Sequence, residues 1–90
     1  LPPFVPTGLA PNGNGTNDIL YVLGGPFLEL KFDIYNGLGQ LIFTSTDQAI
    51  GWDGTYKDAP QPMGVFVYTV KATTLDNLQH ELSGDVTLMR

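Results

Sequence analysis

Eight residues, Leu28 to Tyr35, limit what this chain can fold into more than any other stretch. Leu28, Leu30, Phe32 and Ile34 alternate with Glu29, Lys31, Asp33 and Tyr35. Side chains of an extended strand point to opposite faces in turn, so a period of two predicts a strand with one face buried and one wet. Asn36-Gly37 follows, a pair that enters the tight-turn region of backbone space at little cost. Leu41 to Ser45 then reads as the return strand of a hairpin. From Gly64 to Thr73 a second strand is predicted. Val65, Val67 and Thr69 face one way, and Phe66, Tyr68, Val70 and Ala72 the other, in a run dominated by β-branched and aromatic residues.

Weaker signals complete the set. Asp76-Asn77 predicts a turn, Leu78 to Leu82 a strand pairing back, Ser83-Gly84 a further turn, and Val86 with Leu88 a last strand reaching Arg90. Ile19 to Leu23 reads as a strand closed by Gly24-Gly25-Pro26. Phe4 to Leu9 reads as an edge strand, because Pro6 has no N–H to give a second neighbour. No segment carries a 3.6-residue period long enough for a helix. The expected fold is all-β: a small immunoglobulin-like β-sandwich of about seven short antiparallel strands. Eleven glycines and seven prolines suit the many turns this requires.

Ninety residues make one domain, expected to span 1–90. The chain opens at Leu1, and the expectation is a piece cut from a longer surface or secreted protein. There is no cysteine, hence neither a disulfide nor a thiolate metal site. Nine acidic residues against four basic ones give a net charge of −5. Such a surface repels phosphates, which argues against nucleic acid as a partner. The apolar runs fall far short of the ~20 residues that span a bilayer, so no membrane insertion is expected.

Three motifs invite a functional reading. In Pro11-Asn12-Gly13-Asn14-Gly15-Thr16-Asn17-Asp18, oxygen-bearing side chains recur at Asn12, Asn14, Thr16 and Asp18, a loose echo of the start of a Ca²⁺ loop. One carboxylate among the four makes a poor cation site. An ordered turn, with Asn and Asp bonding nearby amides, is the simpler reading, and no cofactor is expected. In Gly51-Trp52-Asp53-Gly54-Thr55, Trp52 is expected to cap the core with its N–H bonded outward, and Asp53 to accept amides of the turn it begins. The rival is a glycan-binding platform of Trp52 and Tyr56. His80 is the lone histidine and cannot build a zinc site. Nor does any context make Ser45 or Ser83 a nucleophile beside it, so an enzyme is not expected.

The ordered set of motifs carries a resemblance. Phe4-Val5-Pro6, Ala10 to Asp18, Ile34-Tyr35-Asn36, Gly39, Leu41-Ile42-Phe43, Gly51 to Tyr56, Pro62 to Tyr68 and Gly84 to Arg90 follow one another across nearly the whole chain. In order and spacing they resemble the gliding-motility-associated C-terminal domain, the type B sorting domain of the type IX secretion system. The chain departs from that pattern at Asn14, where the family has an aspartate, and at Gly37 and Leu38, where it has arginine and tryptophan. The resemblance implies a C-terminal sorting signal. Its parent, an adhesin-like protein, would cross the periplasm, pass the outer-membrane type IX translocon and reach the cell surface or the medium. It also implies a PorP/SprF-type outer-membrane protein as partner. The surfaces expected to meet such a partner are the hairpin loop Asn36, Gly37, Leu38 and Gly39, and the last strand with Val86, Leu88 and Arg90. An immunoglobulin-like module binding glycan or Ca²⁺ is the alternative.

Overall fold

The computed structural model describes residues 1–13, 15 and 18–90. Seven strands appear in chain order: β1 (Gly8–Leu9), β2 (Phe27–Tyr35), β3 (Leu41–Ser45), β4 (Thr55–Tyr56), β5 (Ala59–Pro60), β6 (Gly64–Thr74) and β7 (Gln79–Leu88). There is no helix among the described residues. Five strands form one sheet in the order β1-β7-β6-β2-β3, and β4 pairs with β5. The fold is the expected small all-β sandwich. All pairings are antiparallel except β1 with β7, which is parallel and corrects the all-antiparallel expectation.

One face of the sheet is dry. On β6, Phe66, Tyr68, Val70 and Ala72 are buried, one of the two faces into which alternation divides the strand. Phe32 and Ile34 of β2 and Val86 and Leu88 of β7 join them. Phe43 meets Phe32 edge to face, with ring centroids 5.8 Å apart. Leu9 of β1 joins them from the sheet, and Val5, Leu20, Val22 and Trp52 complete the same core from the second layer. At roughly 25 cal/mol per Å² of apolar area removed from water, this cluster is the main favourable contribution to folding.

The second layer is mostly irregular, and here expectation and structure part. Ile19 to Leu23 is not a continuous strand. Leu20 exchanges backbone bonds of 2.8 and 2.9 Å with Trp52, and Leu23 exchanges bonds of 3.1 and 2.8 Å with Phe4. Each end has a different partner, so no ladder develops. The predicted Phe4–Leu9 strand is cut the same way. Phe4 bridges to Leu23 in one layer, Gly8 and Leu9 pair with β7 in the other, and Pro6 stands at the crossing.

Two further readings are corrected within the sheet. A bulge between Phe27 and Glu29 shifts the β2 register. It turns Leu28 to solvent, while Phe27 packs on the core instead. Ser83-Gly84 is no turn, since β7 runs unbroken past both residues. Gly84 lies opposite Tyr68, and a Cβ there would sit 2.8 Å from the tyrosine oxygen. The glycine makes room for a ring rather than for a bend.

Candidate functional site

The register of the sheet gathers several of the singled-out residues at one end. β2 ends where β6 begins, and β6 begins where β7 ends: Tyr35 pairs with Val67, and Gly64 with Leu88. The hairpin loop after Tyr35, the segment before Gly64 and the chain end after Leu88 are therefore neighbours.

The loop is built around Asn36. Its backbone N–H donates to the Gln40 carbonyl at 3.0 Å, and its carbonyl accepts from Gly39 at 3.0 Å. Its side-chain oxygen accepts from the Leu38 and Gln40 amides, each at 3.0 Å. This is a three-residue loop, Gly37-Leu38-Gly39, in which Gly39 takes the left-handed conformation at φ 79°. The expected two-residue Asn36-Gly37 turn is thus replaced, although the hairpin it announced is present. At the tip, Leu38 is 93% exposed, more than any other large apolar residue described.

Beside the tip lies an open cleft of about 430 Å³, with Asn36, Gly37 and Leu38 on one side and Gln61 to Phe66 on the other. Met63 and Val65, both exposed, give this side apolar character. The cleft rests on a braced base. Gln40 donates to the Tyr56 hydroxyl at 3.3 Å, tying the hairpin to β4. The Arg90 guanidinium donates to the carbonyls of Gln61 at 2.8 Å and Gly54 at 2.9 Å. Gly54 has φ 85°, and a Cβ there would crowd Leu88 and Pro11, so glycine is required.

Trp52 underlies this base. It is 0% exposed, its ring centroid is 5.0 Å from that of Phe66, and its N–H donates to the Thr55 carbonyl at 2.9 Å. Asp53 accepts the Thr55 amide at 3.1 Å and the Thr55 hydroxyl at 2.6 Å, an Asx-turn as expected. These roles are structural. The glycan platform fails on geometry, because buried Trp52 offers no face and Lys57 lies 5.4 Å above the Tyr56 ring. Nothing local announces the β4–β5 hairpin. Its turn residues, Lys57 and Asp58, take positive φ of 51° and 65° without the help of glycine.

The last strand does not present the side chains expected of it. Val86 and Leu88 are 0% exposed and belong to the core, so neither reaches a partner of the folded domain. Alternation decides this: even-numbered residues of β7 face inward. Arg90 is engaged with its own chain.

The Asn-rich loop lies partly outside the described residues, since Asn14 and Thr16 are not among them. Asp18 is. One of its oxygens accepts the amides of Asn12 and Gly13 at 3.1 Å each, and the other accepts that of Gly15 at 2.7 Å. A cation would have to compete with three N–H groups for that carboxylate. His80 lies at the far end of the sheet, 3.1 Å from the Thr74 hydroxyl.

Comparison with known protein families gives a match over most of the chain. The family described as the CHU_C type IX secretion signal domain matches residues 4–88, which takes in the hairpin loop, the Trp52 motif and all of β7. No curated protein matches the chain.

Proposed function

The chain belongs to the type IX secretion signal domain family, and from that premise we propose that it delivers an adhesin-like parent to the outer-membrane translocon, read at the end of the sheet that carries Leu38. A signal of this family implies export to the cell surface or beyond. Transit through the periplasm, and a PorP/SprF-type outer-membrane protein as reader, complete the proposal.

The observation that carries the choice of surface is the exposure of Leu38. A leucine projecting into water from a loop held by four hydrogen bonds loses little freedom when a partner covers it. The neighbouring cleft, flanked by Met63 and Val65, extends the apolar area a partner would bury. The family pattern that the chain resembles implies a tryptophan at this position, and the smaller Leu38 keeps it apolar.

A fusion tests this. The ninety residues are joined to a signal peptide and a fluorescent cargo in a host with the type IX system. The wild-type fusion is expected outside the cell, and inside it when the translocon is deleted. Leu38→Asp is expected to cut delivery by about tenfold while circular dichroism stays unchanged, as central apolar contacts of an interface typically do. Unchanged delivery by that variant would refute the surface assignment. Periplasmic retention of the wild-type fusion would refute the sorting role.

A further inference from the structure

One edge of the sheet is open. β1 covers β7 at Thr87 and Leu88 alone. From Gln79 to Val86, β7 has β6 on one side and no strand on the other among the described residues. β1 cannot lengthen to close the gap. Behind Gly8 and Thr7 stands Pro6, with no N–H, and Phe4 is already paired with Leu23.

The direction of the free backbone groups follows from the bonds that β1 makes. Thr87 N–H donates outward to the Thr7 carbonyl at 2.9 Å, and Met89 N–H to the Leu9 carbonyl at 2.8 Å. Backbone groups of a strand point to its two sides in alternation. Gln79, Glu81, Ser83 and Asp85 therefore aim their N–H and C=O at the open edge. Their side chains are exposed on the wet face. Glu81 and Asp85 stand four residues apart there, and neither forms an ion pair among the described residues. On the dry face, half-buried Leu82 lies beside Gly84, which has no side chain.

We propose that this edge, Gln79 to Asp85, receives an extended segment of the protein that reads the signal as an added strand. The segment carries basic side chains at alternate positions to meet Glu81 and Asp85, with an apolar residue between them to finish the burial of Leu82. Naming the reader as the partner rests on the sorting role proposed above. Backbone bonds supply affinity in such an addition, and alternate side chains supply selectivity. The edge already holds one strand, β1, and an incoming segment continues the same side of the sheet upstream of it. A second copy of the chain is the wrong occupant, because it would bring four carboxylates into one seam.

Proline makes the test sharp. Ser83→Pro removes an N–H aimed at the open edge and leaves the β6–β7 ladder intact. Leu82→Pro removes a ladder bond and serves as the unfolding control. In the fusion assay, Ser83→Pro and the double reversal Glu81→Lys/Asp85→Lys are each expected to keep the native circular dichroism and to lower delivery by about tenfold. Should Ser83→Pro fail to fold, the charge reversal decides. Wild-type delivery by folded variants overturns the proposal. An assay without secretion separates it from the sorting role. A synthetic peptide of alternating lysine and valine, at about millimolar concentration, is expected to slow amide exchange at Glu81, Ser83 and Asp85 and to leave Leu82 and Gly84 as they were. No change at the odd-numbered amides overturns the proposal whatever the fusion does.

Discussion

The two hairpins of the large sheet close at opposite ends with the same backbone geometry and different side-chain chemistry. In the β2–β3 loop, Asn36 N–H donates to the Gln40 carbonyl and Gly39 N–H to the Asn36 carbonyl. In the β6–β7 loop, Thr74 N–H donates to the Leu78 carbonyl and Asn77 N–H to the Thr74 carbonyl. The left-handed position is Gly39 in one and Asn77, at φ 67°, in the other. A neutral amide, Asn36, pins the first loop through the Leu38 and Gln40 amides. A carboxylate, Asp76, pins the second, accepting from the Thr74 hydroxyl and from the Leu78 amide at 3.2 Å. The first is tied to an element outside its own hairpin, through Gln40 to Tyr56 of β4, whereas the Thr74 hydroxyl at the base of the second meets His80 of the same hairpin. One backbone solution thus yields a pH-indifferent tip set beside a braced cleft, and a titratable tip at the far end.

Removing the support under the first end is the harshest way to break that contrast. Trp52→Ala empties the space against Phe66 and strands the Thr55 carbonyl. A loss of about 3–5 kcal/mol is expected, a large share of a small domain's stability, read as a fall in the urea midpoint. A midpoint close to wild type would show that the base stands without its ring.

A milder change sharpens the comparison at the loops themselves. Asn36→Ala removes the acceptor for two amides, and the expected cost is about 1–2 kcal/mol, the same at neutral and acid pH. Hydrogen exchange should accelerate at Leu38 and Gln40 and stay as it was at Leu78. Equal acceleration at both loops would mean that the two ends are not independent.

The smallest effect is the pH response of the far loop. The Thr74 hydroxyl, then the Leu78 amide, hold the Asp76 carboxyl below its ordinary range. A depressed acid stabilises the fold above its unfolded pKa, and that contribution fades as pH falls through the folded value. Protection of the Leu78 amide, measured against its intrinsic exchange rate at each pH, should therefore fall at the acid end of the carboxylate range, and Asp76→Asn should abolish the dependence. A pH-independent Leu78 amide in the wild type would contradict the assignment.

Much of the sheet was legible in the chain because its signals are local. Alternation set Phe66, Tyr68, Val70 and Ala72 on one face of a strand, although burial of that face was settled by packing, and Trp52-Asp53-Gly54 announced a capped turn by residue type. The misreadings came where one local signal serves two geometries. Ser83-Gly84 is a turn pair in isolation and a continuous strand opposite Tyr68. Leu28 belongs to the apolar phase of β2 until a bulge steps it out. In the candidate site, the Asn36–Gly39 loop could be read in advance. Its neighbours Gln61 and Arg90 could not, since they lie 29 residues apart and are joined by one guanidinium.

By itself, then, the sequence determined an all-β domain with one dry sheet face, hairpins at Asn36 and Asp76, and a buried tryptophan. Those outcomes depend on side-chain period and turn chemistry, which act within a few residues. Tertiary structure alone decided which end of the sheet is braced, that Val86 and Leu88 face inward, and that the open backbone of β7 lies upstream of them at Gln79 to Asp85. Which side of a strand stays unpaired depends on how far β1 runs before Pro6 diverts it, a long-range pairing that no local pattern encodes.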